Sequence, residues 1–351
     1  MPRCLLGLLV LFLATPLAAQ DRLPVHVGGR VVEAPGGALT FGWPGIYFES
    51  RFRGTGFSVA VASDTEIFRL TVDGSERAVL NRPDGAPVAV TDLAPGEHVV
   101  RLEKLTESQT GGGRFLGFRA EPGTEPLEPV RRARQIEFVG DSYSVGYGNS
   151  APGRTCTRRE VHDTTDTSRA FGPLLARRLD ADYRVNAFSG FGIVRNYAGG
   201  SPDFNLPAIY ERLIPGDLGP VETAGGDSWR PQLIVINLGG NDFSTPLHPG
   251  ERWPDAAALR TDYRAHYVQF ARALMARQPQ ARLVLMGSDN FVDQVEQVAA
   301  ELNRGGGRPV TVVRYGGLAN TGCDWHPDLA DHRVLADLLE RTIAGMDGLW
   351  D

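Results

Sequence analysis

Ile136-Glu137-Phe138-Val139-Gly140-Asp141-Ser142 is the stretch on which the reading of this chain turns. Its first four residues have the length and composition of a buried strand, and the run stops at a Gly-Asp-Ser turn. A buried strand that ends this way presents a serine hydroxyl at the carboxyl edge of a parallel sheet, where open α/β folds place their ligands. Ser142 is therefore a candidate nucleophile. A serine hydroxyl stays protonated at neutral pH, so the reading also demands a base, an orienting group and oxyanion donors elsewhere.

Downstream of Gln135 the pattern alternates between strand and helix. Apolar strands are expected at Ile136 to Val139, Tyr183 to Ala187, Leu233 to Leu238, Leu283 to Met286 and Val310 to Val313. Between them, Leu259, Tyr263, Tyr267, Phe270 and Leu274 share one helix face, as do Val292, Val295, Val298 and Leu302 before Gly305. This alternation predicts an α/β domain over 135–351, with a five-stranded parallel sheet covered by helices on both faces. Upstream the rhythm differs. Short β-type runs at Val25 to Val27, Phe57 to Val61, Phe68 to Val72, Pro87 to Val90 and His98 to Leu102 are separated by Asp73-Gly74, Asp84-Gly85 and Pro95-Gly96 turns. They predict an all-β sandwich of jelly-roll type over 20–120. The proline-rich stretch Glu121 to Pro129 reads as unable to continue a sheet, so 121–134 is expected to be a linker, with Arg131, Arg132 and Arg134 solvated at its end.

The first 19 residues read as an export signal: Arg3, an apolar core from Leu5 to Leu13, and a small-residue cleavage region from Thr15 to Ala19. That apolar run is shorter than the roughly 20 residues a bilayer-spanning helix needs, and no later segment is apolar enough to span. The expected location is secreted or periplasmic. A net charge of −6 argues against a nucleic-acid partner. Of the three cysteines, Cys4 falls in the signal. Cys156 follows soon after Ser142 and Cys323 lies near a late histidine, so in an oxidising compartment they can bridge; two separate buried thiols are the alternative.

Each chemistry-bearing motif follows a strand end. Ser189-Gly190-Phe191-Gly192 follows the second strand, Gly239-Gly240-Asn241-Asp242 the third, and Cys323-Asp324-Trp325-His326-Pro327 precedes the last helix. A serine, a glycine N–H, an asparagine amide and a late histidine are the equipment for acyl transfer. In this order the blocks resemble those of the SGNH (GDSL-type) hydrolases. More narrowly, Gly140-Asp141-Ser142 with Gly146-Tyr147-Gly148-Asn149, Ser189 to Gly192 with Arg195-Asn196-Tyr197, and Gly322 to Pro327 resemble carbohydrate esterase family 2. The resemblance implies a jelly-roll domain ahead of the hydrolase domain, and removal of O-acetyl groups from plant polysaccharides such as xylan and glucomannan through an acetyl-serine. It implies Ser142 as nucleophile, His326 as base, and Ser142, Gly190 and Asn241 as oxyanion donors. Asp324 would orient His326, although in some relatives a main-chain carbonyl does so. Tyr143 stands where most of the superfamily has leucine.

Several positions keep a plainer reading. Asn241 can cap a helix, Gly192 can replace Gly190 as donor, Trp325 can stack on a sugar or wall the site, and Asp141 can fix its turn by binding backbone N–H groups. His332 falls on the last helix, either solvated or packed. No cofactor or metal is expected; a metal-dependent phosphoesterase would need several histidines and carboxylates converging on a cation. A lipase or thioesterase on other short-acyl esters and a catalytically inert carbohydrate-binding protein are the remaining alternatives. The expected partner is an acetylated poly- or oligosaccharide, met by a monomer.

Overall fold

Five parallel strands form the sheet that carries the expected nucleophile, in the spatial order Ala181–Ala187, Arg134–Gly140, Leu233–Asn237, Arg282–Ser288, Thr311–Tyr315. The computed structural model describes residues 22–109, 111–216 and 228–350; the expected export signal lies outside them. Alternate side chains leave this sheet on opposite faces, as a pleat requires. Ile136, Phe138 and Val235 pack with the helices Phe171–Arg178 and Leu329–Ala344, whereas Val139, Ile234 and Ile236 pack with Ala256–Arg277 and Val292–Arg304. All the residues expected on the inner faces of those last two helices are buried. Asp255 caps the 22-residue helix by accepting from Ala258 N–H at 2.8 Å.

The N-terminal half is a sandwich of two antiparallel sheets, and the chain thus has the expected α/β/α domain preceded by an all-β domain. One sheet runs His26–Gly28, Tyr47–Gly54, Gly96–Lys104, Ile67–Val72, Ser75–Asn81; the other runs Val32–Ala34, Ala38–Phe41, Gly113–Ala120, Phe57–Ala62, Val88–Val90. Phe48, Phe52, Phe57, Phe115 and Phe118 fill the space between them. The expected linker departs from its reading. Glu125–Leu127 forms a short antiparallel edge strand on Tyr47–Gly54, with Pro126 opposite Phe52. Proline is tolerated there because an edge strand leaves half of its backbone groups facing outward.

The seam between the halves is polar. Arg132 is not a solvated linker end: its guanidinium spans Glu49 of the sandwich at 3.0 Å and Asp180 and Asp182 of the α/β domain at 3.2 Å each. Glu137, in the middle of the Arg134–Gly140 strand, is fully buried. It meets Arg30 of the sandwich at 3.4 Å and accepts from Tyr210 Oη at 2.7 Å and from Asn186 Nδ2. Removing one partner of a buried pair leaves an uncompensated charge, so Arg30→Met should destabilise by about 3–5 kcal/mol. Arg30→Met combined with Glu137→Gln should recover most of that loss in urea denaturation. A single variant as stable as the parent would show that this pair does not hold the seam.

Candidate active site

The Arg134–Gly140 strand ends where Gly140 passes to Asp141, the N-cap of a one-turn helix that begins with Ser142. Asp141 Oδ1 accepts from Tyr143 N–H at 3.1 Å, which fixes the turn. Ser142 is buried apart from its approach to a cleft of 560 Å³ that also takes in Asn241, Trp325 and His326. Ser142 Oγ lies 2.9 Å from His326 Nε2 across 184 residues of sequence.

The other imidazole nitrogen, Nδ1, faces main-chain oxygen: Cys323 C=O at 3.0 Å and Asp324 C=O at 3.2 Å. Carbonyls only accept, so Nδ1 holds the proton and donates it. Nε2 is then the lone pair, and the Ser142 hydroxyl donates to it. The Asp324 carboxylate takes no part in this; it accepts from Tyr147 Oη at 3.1 Å. The carboxylate expected to orient the imidazole thus faces Tyr147, and reaches the ring only through its charge. Asp324 and Trp325 both have left-handed backbones, with φ of 50° and 58°, and this turn carries the 324 side chain away from the ring.

Four contacts hold the turn. Cys323 is disulfide-bonded to Cys156, Asp324 N–H donates to Arg154 C=O at 2.7 Å, Gly322 N–H to His326 C=O at 3.0 Å, and Cys323 N–H to Gly148 C=O at 3.3 Å. Gly148 has φ of 54°, and a Cβ there would stand 2.4 Å from Cys323 Cβ, so only glycine admits this approach. Tyr147 and Tyr143 flank the imidazole, with ring centroids 4.3 and 5.6 Å away. Burial among them pushes the His326 pKa below its ordinary 6.5.

The candidate oxyanion donors come from three separate segments. Ser142 N–H and Gly190 N–H have no acceptor among the described residues, whereas Gly192 N–H is taken by Asn196 Oδ1 at 3.1 Å. Of the two candidate glycines, Gly190 is therefore the one with a free N–H, and its φ of 84° again favours glycine. Asn241 Nδ2 donates to Phe191 C=O at 2.9 Å and to Asp141 Oδ2 at 3.2 Å. Both of its hydrogens are engaged, so it enters an oxyanion site only by sharing the one aimed at Asp141. Burial, with the nearby Asp242 charge, pushes the Asp141 pKa up to about 7.

Asp242 had no role in the sequence reading, although it stands in the quoted Gly-Gly-Asn-Asp block. Its carboxylate accepts N–H bonds from Ile193 at 3.0 Å, Val194 at 2.9 Å and Arg195 at 3.0 Å, and so anchors the loop that begins at Gly190. Arg195, also buried, clamps the same loop to Glu251 through Nε at 2.6 Å and Nη2 at 2.9 Å. At the mouth of the cleft, Trp325 is 66% and Tyr197 59% exposed. His332 lies outside this constellation. It is packed against Phe171, accepts from Phe171 N–H at 3.2 Å, and is held neutral by burial, which lowers its pKa to about 3. Among the described residues, no group of three or more histidine, cysteine or acidic side chains could hold a metal ion, and no helix is long and apolar enough to cross a membrane.

Two measurements follow from this geometry. Asp324→Ala should lower kcat by less than about 10-fold, whereas losing a carboxylate that holds the imidazole costs about 10⁴-fold; a loss of that size would restore the carboxylate to the orienting role. If His326 is the base, it must be neutral to take a proton, and its pKa is depressed. The kcat/KM should therefore be fully present at neutral pH and fall only on an acid limb centred below 6.5. A limb centred near 7 would assign the loss to Asp141 instead.

Residues 27–129 match the model of the carbohydrate esterase 2 N-terminal domain, and residues 136–339 match the GDSL-like lipase/acylhydrolase domain. The chain is 45% identical to an acetylxylan esterase / glucomannan deacetylase of Cellvibrio japonicus, with 99% of each chain covered. A solved carbohydrate esterase, described as having an active site with divergent catalytic and non-catalytic binding functions, superposes with a TM-score of 0.89 at 43% identity, covering 94% of this chain and 100% of that one. A family two carbohydrate esterase from Clostridium thermocellum, solved with cellohexaose, gives 0.80 at 28% identity over 93% and 99%. Sequence blocks, fold and relatives converge, and the chain belongs to carbohydrate esterase family 2, a serine carboxylic ester hydrolase with the GDSL-type fold.

Proposed function

We propose that this enzyme is exported and removes O-acetyl groups from plant polysaccharides of the xylan and glucomannan type through an acetyl-serine. The observation that carries the reading is the 2.9 Å contact between Ser142 Oγ and His326 Nε2 in an open cleft whose rim exposes Trp325 and Tyr197. His326 Nε2 takes the hydroxyl proton as Oγ attacks the acetyl carbonyl, and returns it to the sugar oxygen that leaves. Ser142 N–H and Gly190 N–H face the charge that develops on the carbonyl oxygen, with Asn241 Nδ2 as a shared third donor. Water, activated by the same imidazole, then attacks the acetyl-serine and releases acetate.

The polysaccharide reading is supported by the named activity of the Cellvibrio relative and by the aromatic faces at the rim, which suit the apolar faces of sugar rings. Export is supported by the signal-like residues 1–19 and by the Cys156–Cys323 disulfide, which belongs in an oxidising compartment. The parent enzyme should release acetate from acetylated glucomannan and xylan, and Ser142→Ala should lower that rate by at least about 10⁴-fold. Faster hydrolysis of long-chain esters than of the acetylated polymers would make it a lipase instead. Activity that survives in Ser142→Ala would refute the nucleophile.

A further inference from the structure

The free N–H of Gly190 belongs to the Ser189–Gly190 peptide, and that peptide is gripped from the sandwich domain. Gln109 Nε2 donates to Ser189 C=O at 2.6 Å, and Glu107 Oε1 accepts from Ser189 N–H at 2.9 Å. A trans peptide is planar, with its C=O and N–H pointing in opposite directions. A donor on the Ser189 oxygen therefore fixes where the Gly190 N–H points. It also polarises the peptide, strengthening that N–H as a donor.

The loop that delivers these two side chains is itself anchored. It leaves the Gly96–Lys104 strand at Lys104, which is fully buried 3.4 Å from Glu66 and donates to Gly42 C=O at 3.1 Å and Thr106 C=O at 2.9 Å. Thr106 Oγ1 donates to Glu66 at 2.6 Å, and Leu105 C=O accepts from Thr167 N–H of the hydrolase domain at 2.9 Å. A buried ion pair in the β-sandwich thus sets the position of Gln109 at the rim of the catalytic domain.

We propose that Gln109 is a positioning residue for the esterase reaction: it holds and polarises the Ser189–Gly190 peptide so that its N–H meets the developing oxyanion, while Glu107 pins the preceding Phe188–Ser189 peptide. On this account the sandwich completes the catalytic apparatus. The inference rests on the esterase reading above.

The test uses the full chain with 4-nitrophenyl acetate, counting active sites by titration with a serine-directed phosphonate. Gln109→Met removes the donor at nearly constant size, and Gln109 is exposed, so the thermal midpoint should not move. The kcat per titrated site should fall about 10- to 100-fold with KM little changed, because the lost interaction matters only once charge develops. Glu107→Leu should act in the same direction and gives a second reading should the first variant fail to fold. Ser108→Ala, on the same loop, should keep the parent kcat. A purely structural role would instead lower the titre of active sites and the thermal midpoint while leaving kcat per site intact, and that result would overturn the proposal. So would a Gln109→Met kcat within about twofold of the parent. A parent enzyme without hydrolysis that depends on Ser142 would overturn the esterase reading itself, and this inference with it.

Discussion

His326 carries its proton on the nitrogen that faces main-chain carbonyls, and the chemistry proposed at Ser142 depends on that choice. A neutral imidazole has one donor and one acceptor nitrogen, so fixing the donor on Cys323 C=O leaves the lone pair for the serine. An orienting carboxylate would add a charge next to the ring and stabilise the imidazolium that forms. A carbonyl supplies direction with only a partial charge. The demand therefore falls on geometry, and the turn that sets it is costly. Left-handed backbone at two consecutive non-glycine residues, Asp324 and Trp325, opposes folding by about 1–2 kcal/mol at each. The disulfide to Cys156 and the main-chain bonds to Arg154 and Gly148 offset that cost and hold the turn in one conformation.

Much of this was legible in the sequence because strand ends announce themselves. Five apolar runs marked the parallel sheet, and the Gly-Asp-Ser, Ser-Gly-Phe-Gly, Gly-Gly-Asn-Asp and Asp-Trp-His motifs marked what its edge presents. Asp324 was misplaced for a physical reason. The family resemblance put it beside His326, but a motif does not report a left-handed φ, which redirects the side chain to Tyr147. The Tyr47–Gly54 strand hides its alternation at its start, where both faces are covered, although Arg51 and Arg53 farther along are partly exposed. Tyr47 packs with the hydrolase core, Phe48 and Phe52 fill the sandwich, and Glu49 meets Arg101 and Arg132. Contacts such as Arg30 to Glu137 and Gln109 to Ser189 cross the seam over long sequence separations, and no periodicity encodes them.

The seam also explains why charges are buried in a region a simpler protein would fill with aliphatic side chains. Arg101 stacks on the Tyr47 ring at 3.4 Å from its centroid and bonds Tyr183 Oη at 3.1 Å, while Tyr47 Oη donates to Asp182 at 2.8 Å. Directional bonds of this kind tolerate few relative placements of the two halves, whereas an apolar seam can slide. Asp242 imposes the same restriction on a smaller scale, since three N–H groups converge on one carboxylate only when the loop from Gly190 onward takes a single path.

The edge strand Glu125–Leu127 closes the sandwich before the connecting segment is complete. Among the described residues, every main-chain ladder of that half is thus encoded upstream of residue 128, ahead of Ser142. Domains fold as units during synthesis, N-terminal part first. The sandwich can therefore close its own sheets wherever the chain folds, while Tyr47 and Arg30 find their buried partners only when the second half arrives.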